Sequence, residues 1–593
     1  MKLFLILLIL SFSATIVHCG VFSAVYNFFQ KHYKQKSLWT NDQNTLNDTY
    51  DFIIVGAGSA GAVVASRLSE NSQWNILLLE AGDEESFLMD IPQNVHLLQF
   101  TGINWDYKTE PSDSYCLGMV NNQCRYPRGK VMGGSSVLNY MIYTRGNRND
   151  YNNWAKKGCD SWDYKSILQY FKKIEDTDVT GAFSDFRGRG GNIGLTKNFW
   201  RTSVSDVFCD AAKELGYSSV DYNGPTQIGV SYVESNIKNG HRHSSNFAYL
   251  YPARHRTNLH VKKKSHVTRL LINARTKIVE GVEFLHKNEL KRVYATKEVI
   301  VSAGAINSPQ LLMLSGIGPA EHLKEVGIKP ILDLPVGHNL MDHLTPLIVI
   351  SCDTCKNPFS DYSGAFGHLI NFFDNQTGPI FNPGGCESLL FYDSAHTDTR
   401  RPSINAVPDL ELLQTAGGIN FIISSNMGLK RDIIYNMYRY SGDVRDRHTF
   451  MVLPMVLRPR SRGRIYLRDA DPLSTPKIIP NYFADPYDMA IALRGIRKVQ
   501  EMLKTHAMRA IGAKIVDLKV PGCRHLEFDT NSYWECYFRH LTFTIYHYSG
   551  TCKMGRDATS VVTPRLIVRG MRNLRVVDAS IMPEIVSGEP IMR

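Results

Sequence analysis

The stretch YDFIIVGAGSAG, Tyr50–Gly61, sets Gly56, Gly58 and Gly61 in G-x-G-x-x-G spacing directly after an apolar run. Phe52–Val55 is the uncharged, β-branched kind of segment that forms a buried parallel strand. The following AVVASRLSE has helical character. Between such a strand and helix, glycines permit a tight turn, close approach of backbone to a pyrophosphate, and close helix–strand packing. The helix N-terminus then offers free N–H groups and a dipole that favour negative charge. A second strand, Asn75–Glu80, ends in an acid at the separation where a carboxylate meets ribose hydroxyls. That acid disfavours a 2′-phosphate, and so NADP. A lone glycine pattern is weak, because structural turns produce it too. Here strand, glycines, helix, strand and acid arrive in order, which predicts a dinucleotide site. These residues leave NAD and FAD open.

Two further stretches belong to the elements that must position this site. YPRGKVMGGSSVLNYMIYTRGNR, Tyr126–Arg148, turns on Gly129, Gly133, Gly134, Ser135 and Ser136, where a flat ligand can approach backbone closely, and then carries Asn139. VIVSAGAINSPQLLMLSGIG, Val299–Gly318, reads as a strand, a turn at Gly304, and a helix bounded by Ser308-Pro309 and ended at Gly316. Strand–helix alternation of this kind predicts a doubly wound α/β sheet.

At 593 residues the chain exceeds one ordinary core, so at least two domains are expected. MKLFLILLILSFSATIVHCG reads as a signal peptide, residues 1–19, because its apolar run is short and no stop-transfer charge follows. The remainder holds no membrane-spanning run, and the expectation is a secreted, extracellular protein. Removing Cys19 leaves ten cysteines for an oxidising compartment. Cys116 and Cys124 flank CLGMVNNQC and are the best disulfide pair, with Cys523 and Cys536 a second. Cys352-x-x-Cys355 lacks a partner motif for zinc and reads as structural or incidental thiols. Asn47 and Asn375 lie in glycosylation sequons. The net charge of +11 raises the question of nucleic acid, but RHRTNLHVKKK and RPRSRGR belong to no nucleic-acid module and read as solvated basic faces. His241 and His243 read as solvated, and no metal cluster is apparent.

Taken together, GKVMGGSSVLNYMIYTRG, GAINSPQLLMLSGIG, NWDYKTEP, SWDYKSILQYF, LPVGHNLMDH, HYSGTCKMG and RNLRVVDASIMP resemble the glucose–methanol–choline (GMC) flavin oxidoreductases, within them the insect FAD-dependent (quinone) glucose dehydrogenases. The likeness runs from about Tyr50 to Ser587 and departs at Met132, where another apolar residue is commoner. It implies FAD as the cofactor. It implies an α/β fold with a discontinuous Rossmann-like FAD-binding domain, residues 50–343 and 546–593. A second domain of antiparallel sheet plus helices, mainly residues 344–545, would bind substrate.

By the same resemblance, Gly56, Gly58, Gly61 and Glu80 hold the ADP half of FAD. Gly133, Ser135 and Asn139 line the flavin and pyrophosphate. The backbone of Val267 meets the adenine, and Asp578 and Ala579 lie near the ribityl and pyrophosphate atoms. Taken alone, Val267 reads as a core strand residue and Asp578 as a helix N-cap. His547 is the expected catalytic residue, because an alcohol must lose its hydroxyl proton as hydride leaves for flavin N5, and a histidine titrates near working pH. The implied activity is oxidation of a CH–OH group of a sugar or other alcohol, with a quinone-type acceptor. An oxygen-using oxidase and an FAD-binding paralogue without turnover are the alternatives. After Ser587-Gly588 the family supplies a second catalytic His or Asn and a closing helix. Glu589–Arg593 does not match, so weak FAD retention and slow turnover are expected of the chain as written.

Overall fold

The computed structural model describes residues 42, 45–177, 184–197, 200–355, 368, 372, 378–395, 406–418, 421–440 and 448–589. The expected signal peptide and the Asn375 sequon lie outside them, whereas Asn47 is described and exposed. No helix among the described residues is long and apolar enough to cross a membrane.

The first sheet has seven strands. In chain order its elements are β1 (Thr49–Val55), α1 (Ser59–Leu68), β2 (Ile76–Leu79), β3 (Leu259–Lys262), β4 (Ser265–Asn273), β5 (Ile278–His286), β6 (Glu289–Val301), α2 (Gly304–Leu314) and β7 (Leu574–Val576). The order across the sheet is β3-β2-β1-β6-β5-β4, with β7 beside β6. β3, β2, β1, the C-terminal half of β6, and β7 run parallel. β4, β5 and the start of β6 form an antiparallel meander. Ile53, Ile54 and all of β2 are buried, as a strand covered on both faces requires. Register aligns the strand ends: Val55 lies opposite Leu79 and Val301, and Val301 opposite Val576. The residues just past these ends, Gly56, Glu80, Ser302 and Asp578, therefore meet at one edge, where open α/β sheets bind their ligands.

α2 begins at Gly304, earlier than the Ser308-Pro309 boundary expected from sequence, and Pro309 lies inside it. Proline removes the N–H that would have bonded the carbonyl four residues earlier. That carbonyl, Ala305 O, instead accepts from Thr551 Oγ1 at 2.6 Å. The helix tolerates the proline because the His547 segment satisfies the orphaned acceptor.

The second sheet has eight strands, antiparallel throughout. Its longest are Cys386–Tyr392, Leu410–Thr415 and Thr449–Val456, and the 229–232 strand from the N-terminal half joins its edge. Side chains alternate between the faces of a strand. On Thr449–Val456, Met451, Leu453 and Met455 face a cavity. Phe450, Val452 and Val456 enter the main core, which Met451 and Leu453 also touch, and the helix Pro486–Leu503 packs on this sheet.

Three disulfides staple the described chain: Cys116–Cys124, Cys523–Cys536 and Cys352–Cys355. The C-x-x-C pair is thus a bridge, not two thiols. Cys159, Cys209, Cys386 and Cys552 stay reduced and buried. The basic stretches are not simply solvated faces. Lys262 and Lys263 are buried against Asp42 and Glu84, and Arg458 pairs with the buried Asp150. His243 is also buried, accepting from the Gly194 N–H at 2.9 Å. Cations and imidazoles here answer to buried partners that sequence spacing does not reveal.

Candidate active site

The three motif glycines do three different jobs. Gly56 has φ +97° and a Cβ there would lie 2.6 Å from Ser302 O, so the turn demands glycine. At Gly61 a Cβ would lie 1.9 Å from Gly56 O, so this glycine lets α1 pack onto the turn. At Gly58 the nearest neighbour of a Cβ would be 3.8 Å away, and the position opens into a cavity. Gly58 caps α1 with no side-chain acceptor, so the first N–H groups of the helix lack intrahelical partners. Ser59 and Ala60 line the same cavity.

That cavity, about 1140 Å³ with the open space at its mouth, holds most of the residues singled out from sequence. Glu80 lies in its wall, its two oxygens accepting from the Ala57 and Gly82 N–H groups at 2.8 Å each. Burial raises its carboxyl to about 7. Asp578 also lines it. Its carboxylate accepts from Ser580 N, Gly304 N and Ser308 Oγ, so it caps its own short helix and the start of α2 together. Ser135, Val267, Ala579 and His547 complete the placements in this wall. Gly133 lies outside it, packed on Val137 and donating its N–H to Ala57 O. Asn139 belongs to a second cavity, its Oδ1 accepting from Arg242 and the Met141 N–H.

The second cavity, about 1160 Å³ with the open space at its mouth, is walled largely by the antiparallel sheet. Tyr546 and His547 line both cavities. His547 is therefore reached from each side.

The segment carrying His547 lies against LPVGHNLMDH. Met341 and Ser549 exchange both backbone hydrogen bonds at 3.0 Å, and Ile545 N donates to His343 O. Asp342 Oδ1 accepts the His547 N–H at 3.0 Å, while its Oδ2 accepts from Tyr482 Oη at 2.5 Å. Burial raises the Asp342 carboxyl to about 7. The side chains of His343 and His547 meet Nδ1 to Nδ1 at 2.9 Å, and His343 Nε2 lies 2.9 Å from Leu457 O. These contacts assign the protons. A carbonyl can only accept, so His343 Nε2 carries hydrogen and its Nδ1 is an acceptor. His547 Nδ1 must then donate, which puts the His547 lone pair on Nε2. Protonating Nε2 leaves that chain intact. The geometry is that of a base whose partner fixes its tautomer.

His343, Asp342 and Thr551 were missed as functional residues, although all three stand inside motifs quoted above. The Asp-His pair ending LPVGHNLMDH was the available signal. Arg128, in the wall of the first cavity, was also missed, although it lies in the glycine-rich stretch beginning at Tyr126.

The GMC oxidoreductase family model matches residues 50–345, and its C-terminal counterpart matches residues 459–592. The chain belongs to the GMC oxidoreductase family. It is 38% identical over 556 residues to the glucose dehydrogenase [FAD, quinone] of Drosophila pseudoobscura pseudoobscura, covering 91% of this chain and 84% of that one. The ecdysone oxidase of Bombyx mori is 32% identical over 583 residues, covering 96% and 84%. Among solved structures, pyridoxine 4-oxidase from Mesorbium loti superposes with a TM-score of 0.76 at 26% identity, covering 91% and 95%. A GMC dinucleotide fits the first cavity on its own terms. An open backbone face at Gly58, uncapped helix N–H groups and a buried carboxylate at Glu80 are what a pyrophosphate and a ribose require.

Proposed function

We propose that this chain is an FAD-dependent dehydrogenase that oxidises the CH–OH group of a sugar or other alcohol and passes the electrons to a quinone-type acceptor. The observation that carries this reading is His547 at the junction of two cavities, its lone pair set on Nε2 by the chain through His343 to Leu457 O. FAD, when bound, supplies the acceptor for the hydride that leaves the carbinol carbon.

The protein's own groups divide the remaining work. Gly58 and the N-terminus of α1 would receive the pyrophosphate, and Glu80 would hold the ribose. Arg128 lies in the same wall, its guanidinium against Gly304 at the start of α2. Val267 would offer backbone to the adenine, and Asp578 with Ala579 would lie near the ribityl and pyrophosphate atoms. The alcohol enters from the second cavity, and His547 Nε2 takes its hydroxyl proton. The resulting imidazolium keeps its Nδ1–H bonded to His343, and Asp342 holds the backbone of His547 in place. A positioned base of this kind contributes roughly 10²–10⁴-fold. Three disulfides support a protein made for an oxidising compartment, in keeping with a secreted enzyme.

Alcohol-dependent reduction of a quinone-like dye, followed alongside hydrogen peroxide, tests the assignment. Dye reduction that outruns peroxide release is expected. Peroxide formed at the full rate of alcohol turnover would replace the dehydrogenase with an oxidase.

A further inference from the structure

The second cavity has a chemistry that narrows the substrate. Met451, Leu453 and Met455 project into it from one strand, Leu413 from the next, and Met427 and Ile142 from beyond the sheet. Thioethers on flexible stems adapt their surface to an irregular apolar body.

The polar side chains of the wall are turned to other work. Tyr140 Oη lies 3.1 Å from His96 Nδ1, and His96 Nε2 lies 3.1 Å from Gly384 O. With Nε2–H donated to that carbonyl, Nδ1 accepts the tyrosine proton, so the pair is internally satisfied. Asn139 Oδ1 is held by the Arg242 guanidinium and the Met141 N–H. Thr415 Oγ1 donates to Gly417 O, Thr345 Oγ1 donates to Pro346 O, and the Thr544 hydroxyl accepts the Tyr546 N–H. Among the described residues, the polar exceptions are Gln93, with an Oε1 that lacks a partner, Glu589, and Tyr546, whose Oη meets Gln99 only at 3.4 Å. Glu589 is fixed through its N–H to Thr144 Oγ1 at 2.7 Å, and its carboxyl meets that of the fully buried Glu411. Two carboxylates in contact without solvent do not both ionise.

From these contacts we propose that the substrate is an alcohol on a large apolar body, of steroid or terpenoid type, rather than a monosaccharide. A sugar brings a hydroxyl on nearly every carbon, and each buried hydroxyl needs a partner. This wall has committed most of its partners to itself. The apolar lining runs from Met451, Leu453 and Met455 across to Met427 and Ile142, a continuous surface for a large apolar body rather than a single narrow slot. The inference rests on the alcohol-oxidation reading of His547, because the alcohol carbon must reach the junction of the two cavities.

The test uses the flavin-loaded full chain in two arms. In the first, calorimetry measures binding of androstenedione, a steroid ketone with no alcohol to oxidise. In the second, anaerobic bleaching of the flavin is followed with testosterone, farnesol, glucose and choline. The expected result is saturable binding of the ketone, with testosterone or farnesol exceeding glucose and choline in kcat/KM by about 100-fold or more. Met427→Glu, which sets a charge in a partly buried part of the wall, should weaken ketone binding about tenfold with flavin content retained. Glucose or choline bleaching as fast as the apolar alcohols would overturn the inference and leave alcohol oxidation standing. Ketone binding with no bleaching by any alcohol would support the apolar cavity and sink the catalytic reading. Absence of ketone binding, or unchanged binding in Met427→Glu, would overturn the inference directly.

Discussion

At the scale of single residues, the site depends on where protons are held. His343 is a positioning residue: it fixes which nitrogen of His547 accepts a proton. In His343→Ala, a flavin-loaded protein should lose roughly 10- to 1,000-fold in the rate of flavin reduction, with the base-side limb of its pH profile displaced. An unchanged rate and profile would remove His343 from the proton chain. Asp342 makes a second prediction, in stability. Its carboxyl is raised from 3.8 to about 7 by burial. A folded value above the unfolded one means that its contribution is full below about pH 4 and is lost as pH rises through 7. Asp342→Asn should therefore flatten the fall in stability between pH 4 and 7, by at most about 4 kcal/mol. Melts at pH 4.5 and 8 that change equally in both proteins would contradict this. Little of this was legible in the sequence. His547 stood out by its motif, but a histidine's tautomer is set by neighbours 204 residues away in the chain. Asn139 was legible as a loop residue, and only the fold shows that it faces the second cavity.

At the scale of elements, the nucleotide-binding turn was the most readable feature, because glycine spacing reports backbone geometry that no other residue supplies. β1, α1 and β2 follow the sequence pattern closely. α2 does not, because Pro309 looks like a boundary and is not one. Sequence periodicity cannot show that a threonine 246 residues away supplies the missing donor partner for Ala305 O. This coupling is testable by a double-mutant cycle. Thr551→Val should cost about 1–3 kcal/mol, the penalty for a buried acceptor left unmade. In a Pro309→Ala background the restored N–H can reach Ala305 O, and the same substitution should cost clearly less. Equal costs in both backgrounds, measured by denaturant unfolding, would show that Thr551 acts elsewhere.

At the scale of the whole molecule, chain length and α/β alternation announced more than one layer of structure, and the resemblance supplied the rest of the architecture. The interleaving was hidden. The 229–232 strand crosses into the antiparallel sheet, while Leu574–Val576 returns to close the parallel one. Such long-range pairings leave no local signature in composition. Their consequence is functional: one sheet presents a dinucleotide channel, the other an apolar chamber, and Tyr546–His547 stands where they meet. The most direct test of that account is anaerobic stopped-flow reduction of the bound flavin by an alcohol substrate, in the native chain and in His547→Ala. With rates taken per flavin bound, the variant should hold as much flavin as the native chain and reduce it roughly 10²–10⁴-fold more slowly. Reduction at the native rate in His547→Ala, with flavin content unchanged, would contradict the account.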